Sequence, residues 1–314
     1  MKPSVTVVIP TLNASRWLPA LLSSLRGQDY EGPMEILVID SSSDDGTRAI
    51  LEREAVPHEV ISRKEFQHGR TRNRAVSLCR TDLVAFLSQD ARPADASWLA
   101  NLVTGLVETG SVGAYARQIA PIDVHPFQAL NLERHMPSGT TQDESPRVQP
   151  PLDAATWDDL SPIARLRRIR FDNVSSLVIR EFLMTCPFPE LEFGEDLTWA
   201  RNTLLRGRSL AFAPAAKVVH AHGVNHEEFS RRVRRVHALA ARLADFRPIP
   251  GPGLLVRRWA GTTLRFLHGL LGDTAHGLLW KSTWALAAPY WAWVQMAAMA
   301  RGSREATYEP PKEG

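Results

Sequence analysis

The sequence of 314 residues is poor in cysteine: it has only Cys79 and Cys186, and no Cys-x-x-Cys pair. This scarcity excludes zinc ribbons, iron–sulfur sites and disulfide scaffolds, and it favours a reducing compartment. The N-terminal apolar stretch is interrupted by Pro10 and is too short for the core of a signal peptide. We therefore expect a cytoplasmic protein.

Three signatures of nucleotide-binding and hydrolytic enzymes are also missing. The chain contains no Gly-x-Gly-x-x-Gly, no Gly-x-x-x-x-Gly-Lys-Ser/Thr and no Gly-x-Ser-x-Gly. These absences count against dinucleotide dehydrogenases, P-loop enzymes and α/β-hydrolases. Charge of one sign is not in excess either, with 37 Lys+Arg against 34 Asp+Glu. This balance counts against a dedicated nucleic-acid binder.

Short apolar runs rich in β-branched residues alternate with amphipathic stretches in the first half of the chain. They predict strands at 5–9, 36–39, 58–61 and 83–87, and helices at 17–25, 44–54 and 71–79. The alternation predicts an α/β fold with a Rossmann-like, mainly parallel sheet flanked by helices. Further strands are predicted at 112–119 and 175–179, whereas the polar, proline-containing segment 137–162 is predicted to be a long loop or lid.

Polar side chains follow the predicted strands at their carboxyl ends, the edge where ligands bind in such sheets. We expect this edge to carry Pro10, Thr11, Asn13, Asp40, Ser88, Gln89 and Asp90. A carboxylate at position 40 can accept a hydrogen bond from a nucleotide, or it can cap the next helix.

Asp90 follows an apolar strand, and an oxygen ligand there suits Mg²⁺ or Mn²⁺ at a nucleotide diphosphate. One carboxylate alone makes a weak metal site. Two groups of side chains further along the chain can assist it: the acid pair Glu195 and Asp196, and the imidazoles of His220, His222 and His226. From the residues alone, the acids equally fit the positive end of a helix dipole, and the histidines equally fit structural roles.

Five segments in this order and spacing resemble family 2 glycosyltransferases, the inverting nucleotide-sugar enzymes of the GT-A fold. They are VTVVIPTLN (5–13), EILVIDSSSDDGT (35–47), HGRTRNRA (68–75), AFLSQDARP (85–93) and FGED (193–196). The HGRTRN and SQDA forms look most like the bacterial rhamnosyltransferase-type branch. The resemblance spans residues 4–226, and it implies a GT-A domain over 1–226.

The resemblance also implies a role for each matching position. Pro10, Thr11 and Asn13 would line the nucleotide pocket, Asp40 would contact the base or ribose, and Arg72 and Asn73 would face the diphosphate. Ser88, Gln89 and Asp90 match the Asp-x-Asp element, in which Asp90 would hold the metal with His220 or His222. Asp196 would be the general base and Glu195 its neighbour. Ser88 replaces the first acid of that element, which weakens the expected metal site.

The C-terminal region 227–314 is basic and rich in tryptophan. Residues 230–304 contain twelve Lys+Arg and two acids, and residues 282–300 carry no formal charge but include Trp284, Tyr290, Trp291 and Trp293. Such a helix suits the headgroup region of an anionic membrane. The alternative is that the tryptophans pack inside a helical subdomain or at a homodimer interface.

We hypothesise an inverting transferase that moves a sugar from a nucleotide-diphospho-sugar to a hydroxyl of a lipid-linked or saccharide acceptor. Cell-surface polysaccharide or glycolipid synthesis, at the inner face of the cell membrane, fits the basic C-terminal region. Two other classes stay open: a non-catalytic sugar-nucleotide-binding assembly protein, and a metal-dependent hydrolase. The first would bind nucleotide without turnover, and the second would need no acceptor.

Overall fold

The computed structural model describes residues 2–121, 124–135, 143–220, 225–249 and 251–305. The chain forms two compact units. The first comprises Met1–Ile119, Met136–Asp159 and Arg168–Ala221, and the second comprises Ala120–His135, Leu160–Arg167 and His222–Gly314. Two segments that the sequence places in the N-terminal domain, 120–135 and 160–167, therefore belong with the C-terminal helices.

The first unit is built on a single sheet. Its described strands are β1 (Val5–Thr11), β2 (Met34–Asp40), β3 (His58–Val60), β4 (Leu83–Leu87), β5 (Ala91–Pro93), β6 (Gly113–Ile119), β7 (Arg147–Gln149), β8 (Ser175–Ile179) and β9 (Leu210–His220). Their order is β3-β2-β1-β4-β8-β6-β9-β5, with β7 also paired to β9. β8 runs antiparallel to β4 and β6, while β5 and β7 run antiparallel to β9. The remaining strands share one direction, so the predicted mainly parallel α/β sheet is confirmed.

The helices follow the predicted alternation. They are α1 (Leu18–Arg26), α2 (Thr47–Arg53), α3 (His68–Leu78), α4 (Trp98–Glu108), α5 (Pro126–His135), α6 (Ala154–Asp159), α7 (Pro162–Arg168), α8 (Arg180–Thr185), α9 (Glu195–Leu205), α10 (His226–Ala244), α11 (Pro252–Gly272) and α12 (Leu278–Arg304). The predicted loop at 137–162 is wrong in part, because it contains β7 and α6. The backbone of β7 pairs with the sheet, and α6 buries an apolar side chain in the same unit. These contacts stabilise both elements despite the prolines in the segment.

The central strands are apolar along their whole length because helices cover the sheet. Every residue of β4 is buried, and in β1 only Pro10 is partly accessible. Continuous burial of this kind explains why these strands show no alternation of polar and apolar residues. The register of β1 on β2 places Thr11 opposite Asp40, so the polar residues that follow both strands meet at one edge.

The helices of the second unit bury some of their aromatic side chains and expose others, among them Tyr290 and Trp293. Trp259, Trp284 and Trp291 pack, partly buried, around a core that contains Phe127 and Phe266. Trp284 and Trp291 thus make the internal contacts that the alternative of a helical subdomain predicts. Among the described helices, none combines the length and the hydrophobicity that a membrane span requires.

Gly69 in the first turn of α3 allows that helix to approach the backbone at Pro189, because a Cβ at this position would clash with the Pro189 carbonyl. We predict that Gly69→Ala lowers the free energy of unfolding by about 1–3 kcal/mol, the usual cost of overpacking. Urea denaturation measures this change. Gly261→Ala in α11 is the control, since its Cβ would meet only Arg265 Nη1, at 3.8 Å. Equal effects of the two substitutions would contradict the proposed close approach.

Candidate active site

Asp40 fastens the ends of β1 and β2 to each other. Its carboxylate accepts hydrogen bonds from Thr11 Oγ1 at 3.0 Å, from the Ser43 amide at 2.9 Å and from Ser43 Oγ at 2.5 Å. Asp40 is also fully buried. The expected contact with a base or ribose is therefore not visible in its present hydrogen bonds, which instead shape the loop at the edge of the sheet.

Asn13 belongs to the same loop. Its backbone lies in the left-handed region, with φ of 53°. Its side-chain oxygen, Oδ1, accepts a hydrogen bond from the backbone N–H of Asp44 at 3.1 Å. The Asn13 amide in turn donates to Ser43 Oγ at 2.8 Å. Asparagine tolerates this backbone conformation better than most residues. Asn13 is thus fixed at the exposed rim of the predicted nucleotide pocket.

Gln89 ties the end of β4 to the residue that follows β1. Its Oε1 accepts from the Leu12 amide at 2.7 Å, and its Nε2 donates to the Leu12 carbonyl at 3.0 Å. Both ends of this side chain are therefore used within the protein. Ser88 lies beside it, half-buried at the edge of the sheet. The middle position of the Asp-x-Asp element is structural in this chain.

Asp90 and His220 meet because β5 pairs antiparallel with β9, with Ala91 opposite His220. Asp90 Oδ1 lies 3.5 Å from His220 Nε2. The other ring nitrogen of His220, Nδ1, lies 2.8 Å from Gln118 Oε1, and Gln118 Nε2 donates to the Asp172 carboxylate. Four side chains thus form one polar chain at the edge of the sheet. His222 lies outside the described residues, and His226 begins α10 in the second unit.

Asp90 and His220 are suited to a divalent ion. Two adjacent ligands of an octahedral Mg²⁺, each about 2.1 Å from the ion, lie about 3 Å apart, close to their separation of 3.5 Å. A carboxylate with an imidazole also suits Mn²⁺. Burial alone would raise the pKa of Asp90, but the neighbouring His220 outweighs it and holds that pKa below its ordinary value. Within the part of the chain that the structure describes, no three His, Cys, Asp or Glu side chains cluster as a metal site.

Arg72 and Glu195 form a buried ion pair that joins α3 to α9, with Nη1 2.8 Å from Oε1. Asn173 Nδ2 donates to the same carboxylate oxygen at 3.4 Å. The next residue, Asn73, bonds to the backbone of Phe188 with both ends of its amide. The expectation that Arg72 and Asn73 face a diphosphate thus differs from the contacts observed, which are internal.

Asp196 follows Glu195 in the first turn of α9. Burial raises its pKa to about 8, and the negative charges of Glu195 and Asp172 add to the effect. Glu195 has Arg72 as its direct cationic partner, whereas Asp196 Oδ1 accepts a hydrogen bond from the Leu197 amide, at 2.7 Å. The two acids of the pair therefore have different environments.

The sequence did not point to Gln118, Asp172 or Asn173. Asp172 and Asn173 precede β8, whereas the pattern of the strands points to residues that follow them. Because β8 is antiparallel to β4, the residues before it reach the same edge. A polar pair directly before an apolar strand is the available signal, and it becomes useful only once the strand direction is known.

A Rossmann-like sheet whose carboxyl edge joins a strand-end aspartate and a histidine, near a helix that begins with an acid pair, defines a nucleotide-sugar transferase of the GT-A class. Comparisons with known proteins agree. Residues 6–155 match the family described as Glycosyl transferase family 2. Residues 6–155 therefore form a family 2 glycosyltransferase segment, as the motifs within it predict.

Two relatives and one solved structure illustrate the similarity. The chain is 29% identical over 231 residues to the O-antigen chain rhamnosyltransferase RfbN of Salmonella typhimurium, covering 72% of this chain and 69% of the relative. It is also 29% identical over 234 residues to WbaN of Salmonella anatum, an O-antigen chain rhamnosyltransferase, covering 73% and 70%. The mannosyltransferase PcManGT from Pyrobaculum calidifontis, solved with GDP-Man and Mn²⁺, shares the fold, with a TM-score of 0.61 at 20% identity over 100% of this chain and 89% of that one.

We predict that Arg72→Leu lowers the free energy of unfolding by about 3–5 kcal/mol, because it leaves the Glu195 carboxylate buried without its cation. Arg70→Leu is the matched control. Its ion pair with Glu190 is similarly short, at 2.7 Å, but both side chains are 54% exposed, so the loss is expected to be about 0–1 kcal/mol. Chemical denaturation of both variants checks the difference, and similar losses would refute it.

Proposed function

We propose that this glycosyltransferase moves a deoxyhexose from a nucleoside-diphosphate sugar to an acceptor hydroxyl, with inversion at the anomeric carbon, in the synthesis of a surface polysaccharide such as an O-antigen. The names of the two relatives support the sugar and the pathway. The observation that carries the reaction type is the division of the acid pair, in which Glu195 neutralises Arg72 and Asp196 has a raised pKa.

Asp196 acts as the general base. An inverting displacement needs a carboxylate that takes the proton of the acceptor hydroxyl while that oxygen attacks the anomeric carbon. A carboxylate whose pKa is about 8 binds this proton more strongly than an ordinary aspartate. Glu195 cannot do this as well, because its charge is engaged by Arg72. Arg72 therefore holds the acid pair in place, and the helix start at Gly194 sets its direction.

Asp90 and His220 hold a divalent ion, Mg²⁺ or Mn²⁺, which would neutralise charge on the departing diphosphate. The Mn²⁺ complex of PcManGT supports this assignment. Ser88, in the position of the first acid of the element, offers a hydroxyl to the ribose. The loop fixed by Asp40 forms the nucleotide pocket, with Pro10, Thr11 and Asn13 along its wall.

The experiment is a donor panel of nucleoside-diphosphate rhamnose, GDP-mannose and UDP-GlcNAc, each with Mn²⁺ and with or without a lipid-linked saccharide acceptor. Acceptor-dependent release of nucleoside diphosphate, with an inverted anomeric configuration in the product, is expected for one donor. Release without acceptor would indicate the hydrolase, and binding without release would indicate the non-catalytic protein. A retained configuration would overturn the inverting mechanism.

The raised pKa of Asp196 predicts a pH dependence. A base works only when it is deprotonated, so kcat/KM is expected to rise about tenfold per pH unit below pH 8 and to level off above it. An aspartate with an ordinary pKa would give a flat profile from pH 6 to 8.

Asp196→Asn is expected to lower kcat at least about 100-fold. The matched control is Asp29→Asn, since Asp29 is exposed. Wild-type turnover in Asp196→Asn would refute the assignment.

We further propose that the turn between α11 and α12 contacts an anionic membrane surface. Leu271, Leu278, Leu279 and Leu286 are between 80% and 85% exposed. Residues 252–304 carry six Lys+Arg and one acid, Asp273. Exposed leucines beside cationic side chains favour the interface of an anionic bilayer.

Sedimentation with phosphatidylglycerol vesicles tests this contact. We expect the chain to bind these vesicles and to bind phosphatidylcholine vesicles less, and the double variant Leu278→Ser/Leu279→Ser to lose binding. Leu78→Ser is the control, since Leu78 is an exposed leucine of the first unit. Light scattering that shows a dimer, broken by the double variant, would instead identify the surface as a homodimer interface.

A further inference from the structure

Gln118 lies between the candidate metal ligand His220 and the carboxylate of Asp172. It is 8% exposed and sits in β6, where its backbone pairs with Val218 of β9. This pairing holds the amide beside the His220 ring. Gln118 Oε1 is 2.8 Å from His220 Nδ1, and Gln118 Nε2 donates to Asp172 Oδ2.

The direction of the Gln118 amide follows from its neighbour. The other oxygen of Asp172, Oδ1, accepts from the Val174 amide at 2.8 Å, so the carboxylate is held in position as an acceptor. With Asp172 ionised, the amide group of Gln118 presents its N–H to Asp172 Oδ2 and its oxygen to His220. The opposite orientation would bring two acceptor oxygens together. A carbonyl oxygen can only accept, and therefore His220 Nδ1 must be the nitrogen that carries a proton.

We propose that Gln118 is a positioning residue that fixes the His220 tautomer with its proton on Nδ1, and so presents the Nε2 lone pair beside Asp90 to a divalent ion. This proposal rests on the metal site of the proposed function. Hydrogen bonds to the second nitrogen of a metal-binding histidine commonly set its tautomer and ring orientation. Here the constraint extends through the amide to a carboxylate that the sequence had not placed at the site.

The first test uses no metal and no donor. Nitrogen-15 NMR of histidine-labelled full-length chain identifies the protonated ring nitrogen, at a pH where the shifts of His220 report a neutral ring. We expect Nδ1–H in the wild type. Gln118→Leu removes the acceptor and is expected to give a mixture of tautomers. A predominantly Nε2–H ring in the wild type would overturn the proposal.

The second test measures Mn²⁺ alone, from the electron paramagnetic resonance signal of the free ion. Gln118→Leu is expected to weaken Mn²⁺ binding about 10–100-fold, the usual effect of removing such a partner. Gln28→Leu is the control, because the Gln28 side chain bonds only to backbone groups, including the carbonyls of Ser24 and Asp95. Unchanged Mn²⁺ affinity in a folded Gln118→Leu chain would overturn the proposal.

The two sets of results separate this proposal from the proposed function. A chain that transfers no sugar from any donor, yet loses both the Nδ1–H tautomer and Mn²⁺ affinity in Gln118→Leu, would refute the function and keep the role of Gln118. If the chain transfers sugar, but Gln118→Leu changes neither the His220 tautomer nor the Mn²⁺ affinity, the proposed function is kept and the role of Gln118 is refuted.

Discussion

The buried ion pair between Arg72 and Glu195 is the interaction on which the candidate site depends. It joins two helices that enter the site from different parts of the chain, and it removes the charge of one acid of the pair. Taking both ions out of water is costly, so the pair is poor evidence of added stability. The pair makes the two acids unequal. Arg72 balances the charge of Glu195, whereas partial burial and the negative charges of Glu195 and Asp172 raise the pKa of Asp196.

Hydrogen bonds within the protein also engage most of the other polar side chains at this edge of the sheet. Gln89, Asn73 and Asp40 use their polar atoms to hold backbone segments, while Asp90 and His220 contact each other. Unpaired polar groups are expensive to bury, so a site of this kind must be satisfied almost everywhere except where the ligand binds. Polar side chains that the sequence suggests as ligand contacts therefore stabilise the edge of the sheet.

The strands and helices of the first half were predictable because apolar periodicity and buried runs depend on local order. The edge residues Thr11, Asp40 and Asp90 were predictable for the same reason, whereas the role of the pair Glu195 and Asp196 was implied only by the family resemblance. The contacts of Arg72 and Asn73 were not, because a sequence shows a cation at a helix start but not which carboxylate packs against it. The strand and helix within 137–162 were missed, since their stability comes from pairing with β9 and from tertiary packing.

The sequence by itself determined the family, the parallel core of the sheet and the acids at its edge, since these depend on motif order and on the pattern of burial along each strand. Only the tertiary structure decided which side chains meet. The antiparallel direction of β8 brings Asp172 to the edge, and the pairing of β5 with β9 brings Asp90 to His220. Both results depend on the register and direction of strands far apart in the chain, which no local pattern records.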